Sequence, residues 1–238
     1  MYVNIPEGVE ASFPGKCLKL HKAIYGLKQA PRVWWLNLCE TLEKHGFKPT
    51  FADQCLFIKQ GKNGKIYILV YVDDILVAAL KCEDVDDTIQ IILEAYKATN
   101  KGEASSFLNL AITRDRSRRT LTLSQTAYIK EMAAKFGVDP ASRLYTKPDA
   151  FPMAEFKDNR NRETDADEPC TDQRFGSLIG SLLYLANTTR PDISFSVSYL
   201  ARFLHKPCVH HMSKAMKVLE YCVATMHQGI TYGALCPG

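Results

Sequence analysis

The sequence predicts an α+β fold, an antiparallel sheet packed by helices and followed by a helical C-terminal region. Residues 55–79, "CLFIKQGKNGKIYILVYVDDILVAA", read as three strands broken by Gly61–Gly64 and by a pair of aspartates, the pattern of a meander. Apolar stripes at helical spacing flank that meander, and three more helical segments fill residues 173–228. Between the two regions lies a polar, proline-punctuated stretch without period.

The chain starts with a turn-rich segment containing Pro6, Gly8, Pro14 and Gly15. Pro31 to Lys44 is helical by pattern, because Trp35, Leu38 and Leu42 share one stripe, Pro31 suits the first turn and Gly46 suits the C-terminal cap. After the meander, "EDVDDTIQIILEAYKAT" carries acids in its first turn, among them Asp86 and Asp87. Its apolar stripe is Val85, Ile89, Ile92 and Tyr96, which predicts a helix packed on the sheet. Strands follow around "FLNLAIT" and "TLTLSQ", joined by the charged turn "RDRSRR", and a short helix runs from Gln125 to Phe136 and stops at Gly137. Residues 1–148 therefore form the first portion and 149–172 a linker or mobile loop. Residues 173–238 form the C-terminal portion, with helices across "FGSLIGSLLYLANT", after "RPD", and through "HHMSKAMKVLEYCVATM".

With 46% hydrophobic and 24% charged residues, 238 residues bury a sizeable core in one large or two small domains. No apolar run approaches the ~18 residues of a membrane span. "MYVNIPEGVE" has neither the basic start nor the apolar stretch of a signal peptide, so the chain reads as intracellular, without a membrane partner. Eight cysteines without a C-x-x-C pair argue for reduced, mostly buried thiols rather than a zinc ribbon or disulfide scaffold. A net charge of +4 permits a phosphate-bearing partner.

The chemical question is posed by "ILVYVDDILVAA", where Asp73 and Asp74 interrupt an apolar run. Burying adjacent unpaired carboxylates costs several kcal/mol or forces protonation. Two arrangements remove that cost: a hairpin turn that points the acids at water, or a divalent cation bound by their oxygens. Residues on these strands alone leave both open. Upstream, "YGLKQAPR" offers Gly26 for close backbone approach, Tyr25 as a flat face, and Lys28, Gln29 and Arg32 as phosphate or base-edge donors. From the residues alone an ordinary solvated loop and helix start is the simpler reading. Trp35 falls on the core stripe and Trp34 does not, which leaves Trp34 unassigned. His210 and His211 read as surface residues at a helix start, and "RDRSRR" as a solvated turn.

Five motifs occur in order: "LHKAIYGLKQAPRVWWLNL", "GFKPTFADQCLFI", "YVDDILV", "LSQTAYIKEM" and "GSLIGSLLYLANTTRPDISFSVSYLARFLHKP". Together they resemble the reverse transcriptases of Ty1/copia-type long-terminal-repeat retrotransposons over nearly the whole chain. That resemblance implies a polymerase palm whose "YVDD" hairpin presents carboxylates to Mg²⁺ or Mn²⁺ in a two-metal nucleotidyl transfer. One ion activates the primer 3′-hydroxyl and the other neutralises the triphosphate. It makes Asp73 the direct metal ligand and catalytic residue and Asp74 its supporting neighbour, with Tyr71 beside the primer terminus. Tyr25, Gly26, Lys28, Gln29 and Arg32 become the nucleotide- and template-binding set. The implied partners are an RNA template, a DNA primer, deoxynucleoside triphosphates and the rest of a Pol polyprotein, in the cytoplasm within virus-like particles. The family's first aspartate lies on a strand upstream of the segment resembling "MYVNIPEGV", and its ribonuclease H follows beyond "CPG". Glu7 and Glu10 have no strand to aim them, so the 238 residues alone are expected to be inactive. A non-catalytic nucleic-acid-binding remnant or a degenerate transposon relic is the alternative. The family usually has glycine where this chain has Asn109, and a different pattern where it has "LEYCVATMHQG".

Little apolar surface in residues 149–172 offsets the entropy of ordering them. Limited trypsin digestion is expected to cut there first; dominant early cuts elsewhere with this segment intact contradict the linker assignment.

Overall fold

The structure, a computed structural model, describes residues 2–5, 16–24, 26–141, 169–170 and 174–233. Apart from Pro169 and Cys170, the expected linker at 149–172 lies outside the described residues. The chain divides into two compact units, Met1–Gly102 and Glu103–Gly238. Among the described residues six α-helices and three antiparallel sheets give a mixed α+β fold.

In the first unit, β1 (Tyr2–Val3) pairs with β2 (Leu18–Lys19). Helix α1 (Ala30–Lys44) buries Leu38, Cys39 and Leu42 and carries proline in its first turn, as its pattern predicts. It ends at Gly46, which takes φ +85°. The Gly46 N–H donates to the Glu43 carbonyl at 2.9 Å and the Phe47 N–H to the Leu42 carbonyl at 3.0 Å. That is a Schellman closure, and it places Phe47 in the core with no exposed surface.

The sheet that follows runs in the order β3 (Lys48–Pro49), β4 (Leu56–Gly61), β5 (Gly64–Tyr71), β6 (Asp74–Ala78). Alternation in β5 buries Ile66, Ile68 and Val70 against Phe57, Leu38, Leu42 and Phe47. The opposite face leaves Lys65, Tyr67 and Tyr71 exposed. Helix α2 (Cys82–Ala95) packs beside β6. Its fully buried line is Asp84, Thr88 and Ile92, with Val85 and Ile89 half-buried. Asp84 is accommodated because its carboxylate accepts a hydrogen bond from Asn63 Nδ2 at 3.2 Å, in the turn joining β4 to β5.

The second unit has a sheet ordered β10 (Ile230–Gly233), β9 (Thr120–Ser124), β8 (Leu110–Asp115), β7 (Ser106–Phe107). "FLNLAIT" is thus not one strand. Leu108 and Asn109, at φ +51° and +63°, form a two-residue turn that pairs Phe107 with Leu110. Asparagine tolerates this left-handed backbone better than other non-glycine residues, so Asn109 suits the turn. The four residues of β10 are too few to carry a strand period.

Helices α3 (Thr126–Phe136), α4 (Arg174–Thr188), α5 (Ser194–Ala201) and α6 (Val209–Ala224) fall on the expected segments. One core holds Ile129 and Phe136 of α3 together with Leu178, Leu182, Val197 and Val218. The helix that the sequence places at the end of the first portion therefore packs with the helices that follow it. His211 is not a bare surface residue: its Nδ1 accepts from the Cys208 N–H at 3.1 Å, capping α6, and its ring stacks on Phe203 at 3.9 Å.

Behind "RPD" lies an ion pair between a buried arginine and a partly exposed aspartate. Arg190 is 1% exposed and donates from Nε and Nη2 to both Asp192 oxygens at 3.0 and 2.8 Å. Its Nη1 and Nη2 also reach the Thr225 carbonyl and Oγ1 at 3.3 and 2.7 Å, and the Tyr221 hydroxyl donates to Asp192 at 2.8 Å. The pair ties the segment between α4 and α5 to the end of α6. Burial alone works to raise the Asp192 pKa, but the bonds from Arg190 and Tyr221 outweigh it and hold the carboxyl below its ordinary 3.8. Beneath them burial pushes the Cys222 thiol up to about 12, which leaves it an inert core group.

Because the folded carboxyl titrates below the unfolded one, this pair stabilises the fold fully above the unfolded value and loses its contribution as pH falls through the folded value. Asp192→Ala, which strands a buried guanidinium, is expected to cost about 3 kcal/mol in urea unfolding at neutral pH. The gap between Asp192→Asn and wild type should narrow toward pH 3. A gap independent of pH contradicts the assignment.

Candidate metal-binding hairpin

β5 and β6 are joined by the tightest connection an antiparallel pair allows. Tyr71 pairs with Asp74, Val70 with Ile75 and Ile68 with Val77, so Val72 and Asp73 alone make the turn. Val70, Ile75 and Val77, alternate residues on either side of the aspartates, belong to the inner face, which packs on α1. The aspartates themselves stand at the exposed tip. Of the two arrangements open from the sequence, the solvent-facing turn is the one the backbone adopts, and the carboxylates carry no burial cost that a cation must offset. Asp74 lies across from Tyr71, on the same exposed face of the sheet, whereas Asp73 lies outside the ladder.

A two-residue turn of this kind requires positive φ, and it falls on Val72 at +54°. For a β-branched residue that is an outlier costing about 1–3 kcal/mol. The compensating contact comes from α1: Trp34 Nε1 donates to the Val72 carbonyl at 2.6 Å. The Trp34 ring is itself fixed edge-on by Tyr96, with centroids 5.0 Å apart at 71°. Tyr96 sits at the end of α2, and its hydroxyl reaches back to α1, to Asn37 Oδ1 and Thr41 Oγ1, both at 2.8 Å. The residue that the sequence leaves unassigned therefore touches the turn. One signal was available: Trp34, Asn37 and Thr41 share a helical face beside the core stripe, at spacings of three and four.

Gly26, Lys28, Gln29 and Arg32 are exposed, on the loop and first turn of α1 immediately N-terminal to Trp34. The Trp34 bond ties α1 to the hairpin turn through Val72. Gly26 has φ +90°, and a Cβ there would meet nothing within 4 Å, so backbone conformation is what asks for glycine. Gln29 precedes the helix without capping it through its side chain. Tyr25, Glu7 and Glu10 lie outside the described residues.

As a donor set, two adjacent exposed carboxylates offer hard oxygens of the kind Mg²⁺ and Mn²⁺ take, and so fit such an ion. Among the described residues no group of three or more His, Cys, Asp or Glu is placed to hold a metal, so the pair is a partial set. A separate cavity of about 300 Å³ in the second unit is lined by Ser106, Asn109, Gln125, Thr126, Tyr128 and Glu131, and by none of the sequence-predicted site residues.

Comparison with known proteins agrees with the motif string. The family model described as reverse transcriptase (RNA-dependent DNA polymerase) matches residues 1–149. The chain is 34% identical to the Retrovirus-related Pol polyprotein from transposon RE1 of Arabidopsis thaliana, over 97% of this chain and 15% of that protein. It is 34% identical to the putative transposon Ty5-1 protein of Saccharomyces cerevisiae, over 98% of this chain and 73% of that one. The corresponding polyprotein from transposon TNT 1-94 of Nicotiana tabacum is 30% identical over 100% of this chain and 18% of its own length. The chain thus spans a minor part of the Pol polyproteins it matches. No solved structure matches it.

Proposed function

This chain belongs to the reverse transcriptase family of copia-type Pol polyproteins, and from that premise we propose that it is the metal-holding part of an RNA-directed DNA polymerase. The observation that supports the reading is the exposed Asp73–Asp74 pair at the tip of a two-residue hairpin, which the Trp34 bond ties to α1.

Asp73 and Asp74 hold the divalent cation, Mg²⁺ or Mn²⁺. The bound ion supplies a Lewis acid that lowers the pKa of a primer hydroxyl and neutralises charge on a triphosphate. Asp73, free of the ladder, is the direct ligand and Asp74 supports it. Tyr71, exposed across from Asp74, borders the primer end. Lys28, Gln29 and Arg32 contact phosphate or base edges of the template and incoming nucleotide, while Gly26 shapes the loop and Tyr25 supplies a stacking face. Catalysis in phosphoryl transfer is chiefly positioning and charge stabilisation, and two carboxylates from one turn supply only part of it. Among the described residues no third acid is placed beside the pair, so the chain by itself is expected to bind Mg²⁺ weakly and not to polymerise. Primer–template and the remainder of a Pol polyprotein are its partners, in virus-like particles.

Nucleotide incorporation on a primed RNA template with Mg²⁺ or Mn²⁺ tests this. The 238-residue chain is expected to give none. A version extended upstream by the family's aspartate strand is expected to extend the primer and to lose that activity on Asp73→Asn. Robust incorporation by the unextended chain that survives Asp73→Asn contradicts the site. Binding to an RNA–DNA hybrid should fall steeply with salt, and Lys28→Glu should weaken it for all sequences alike and reduce the salt slope by about 1. Affinity indifferent to both removes the α1 surface from the nucleic-acid path.

A further inference from the structure

We infer that Trp34 is a positioning residue for the Asp73–Asp74 turn: its indole N–H holds the Val72 carbonyl and so sets where the Asp73 carboxylate stands for a divalent cation. The inference deepens the proposed function and rests on it for the cation.

The peptide joining Val72 to Asp73 is planar, so anchoring its oxygen also orients the Asp73 nitrogen and Cα. The anchor is a hydrogen bond of 2.6 Å, at the short end of the range. It falls on the carbonyl of the one turn residue with left-handed backbone, Val72 at φ +54°. Valine has no intrinsic reason to stay there, since glycine is the residue such turns select. A turn that must present a carboxylate in a fixed place, yet has valine where glycine belongs, needs an outside hold, and Trp34 supplies it from 38 residues away in sequence.

The hold is itself braced. Tyr96 packs edge-on against the indole, and its hydroxyl is tied to Asn37 and Thr41 one and two turns along α1. Helix α1, the end of α2 and the turn between β5 and β6 thus converge on one carbonyl. Trp34 touches neither carboxylate in this arrangement. Its effect passes through the backbone, which makes it a positioning residue and not a catalytic one.

The test uses the 238-residue chain, with amide hydrogen exchange by NMR and Mn²⁺ as the probe ion. In Trp34→Phe, which keeps a ring and removes the donor, exchange at Asp73 and Asp74 is expected to rise about tenfold while Ile66 and Ile68 in mid-strand change by less than about twofold. The Mn²⁺ concentration that half-broadens the turn resonances should rise about threefold. In a Val72→Gly background, where positive φ needs no hold, adding Trp34→Phe should shift both readings by less than about twofold. Unchanged turn exchange in Trp34→Phe, or an equal rise across all strands of the first unit, overturns the inference, the second outcome marking Trp34 as core filler. Should Trp34→Phe fail to fold, Tyr96→Phe replaces it: faster exchange confined to the turn supports the inference and no change overturns it. A wild-type turn that Mn²⁺ leaves sharp overturns the cation half together with the proposed function, while the exchange arm still decides whether Trp34 holds the turn.

Discussion

The register between β5 and β6 is the constraint on which the site depends. With Tyr71 opposite Asp74, only two residues remain to reverse the chain, and geometry then demands a left-handed backbone at Val72. The same register sends Val70 and Ile75 inward and puts both carboxylates at the exposed tip. With β5 held by its ladder to β4, slipping the β5–β6 pairing by one residue would turn Ile75 and Val77 to solvent, so their packing on the core and the placement of the aspartates are two consequences of one choice. Alternate residues of the apolar run around the acids are therefore explained by packing on one face. A cation bound at the tip serves function and not the stability of the fold.

Much of this was legible because it is local. The meander, the turn at the aspartates and all six described helices follow from periodicity and punctuation, and Gly46 closes α1 by the hydrogen bonds its position implies. Three features escaped because their partners are distant. Trp34 meets Val72, Tyr96 meets Asn37 and Thr41, and β10 meets β9, none of which a helical or strand period encodes. Asn109 escaped for a different reason: a two-residue turn inside "FLNLAIT" is masked by the apolar residues around it.

In the second unit Arg190 carries the comparable lesson. Nothing local marks one arginine among many as fully buried, yet four of its five donors are spent on Asp192 and Thr225, with Tyr221 closing the other side of the carboxylate. Such a pair adds less by attraction than it costs when broken, so it acts chiefly to hold α6 and the α4–α5 connection in one arrangement. The motif "RPD", met first as part of a family string, has a structural explanation that owes nothing to polymerisation.

The central claim, that Asp73 and Asp74 form the metal-holding end of a polymerase hairpin, is tested most directly by locating Mn²⁺ through its anomalous scattering in crystals of the chain. The account predicts a peak at coordinating distance from the Asp73 carboxylate, absent in crystals of Asp73→Asn. Peaks confined to other acids, such as Asp86 and Asp87 on α2, with none at the hairpin tip, would contradict it.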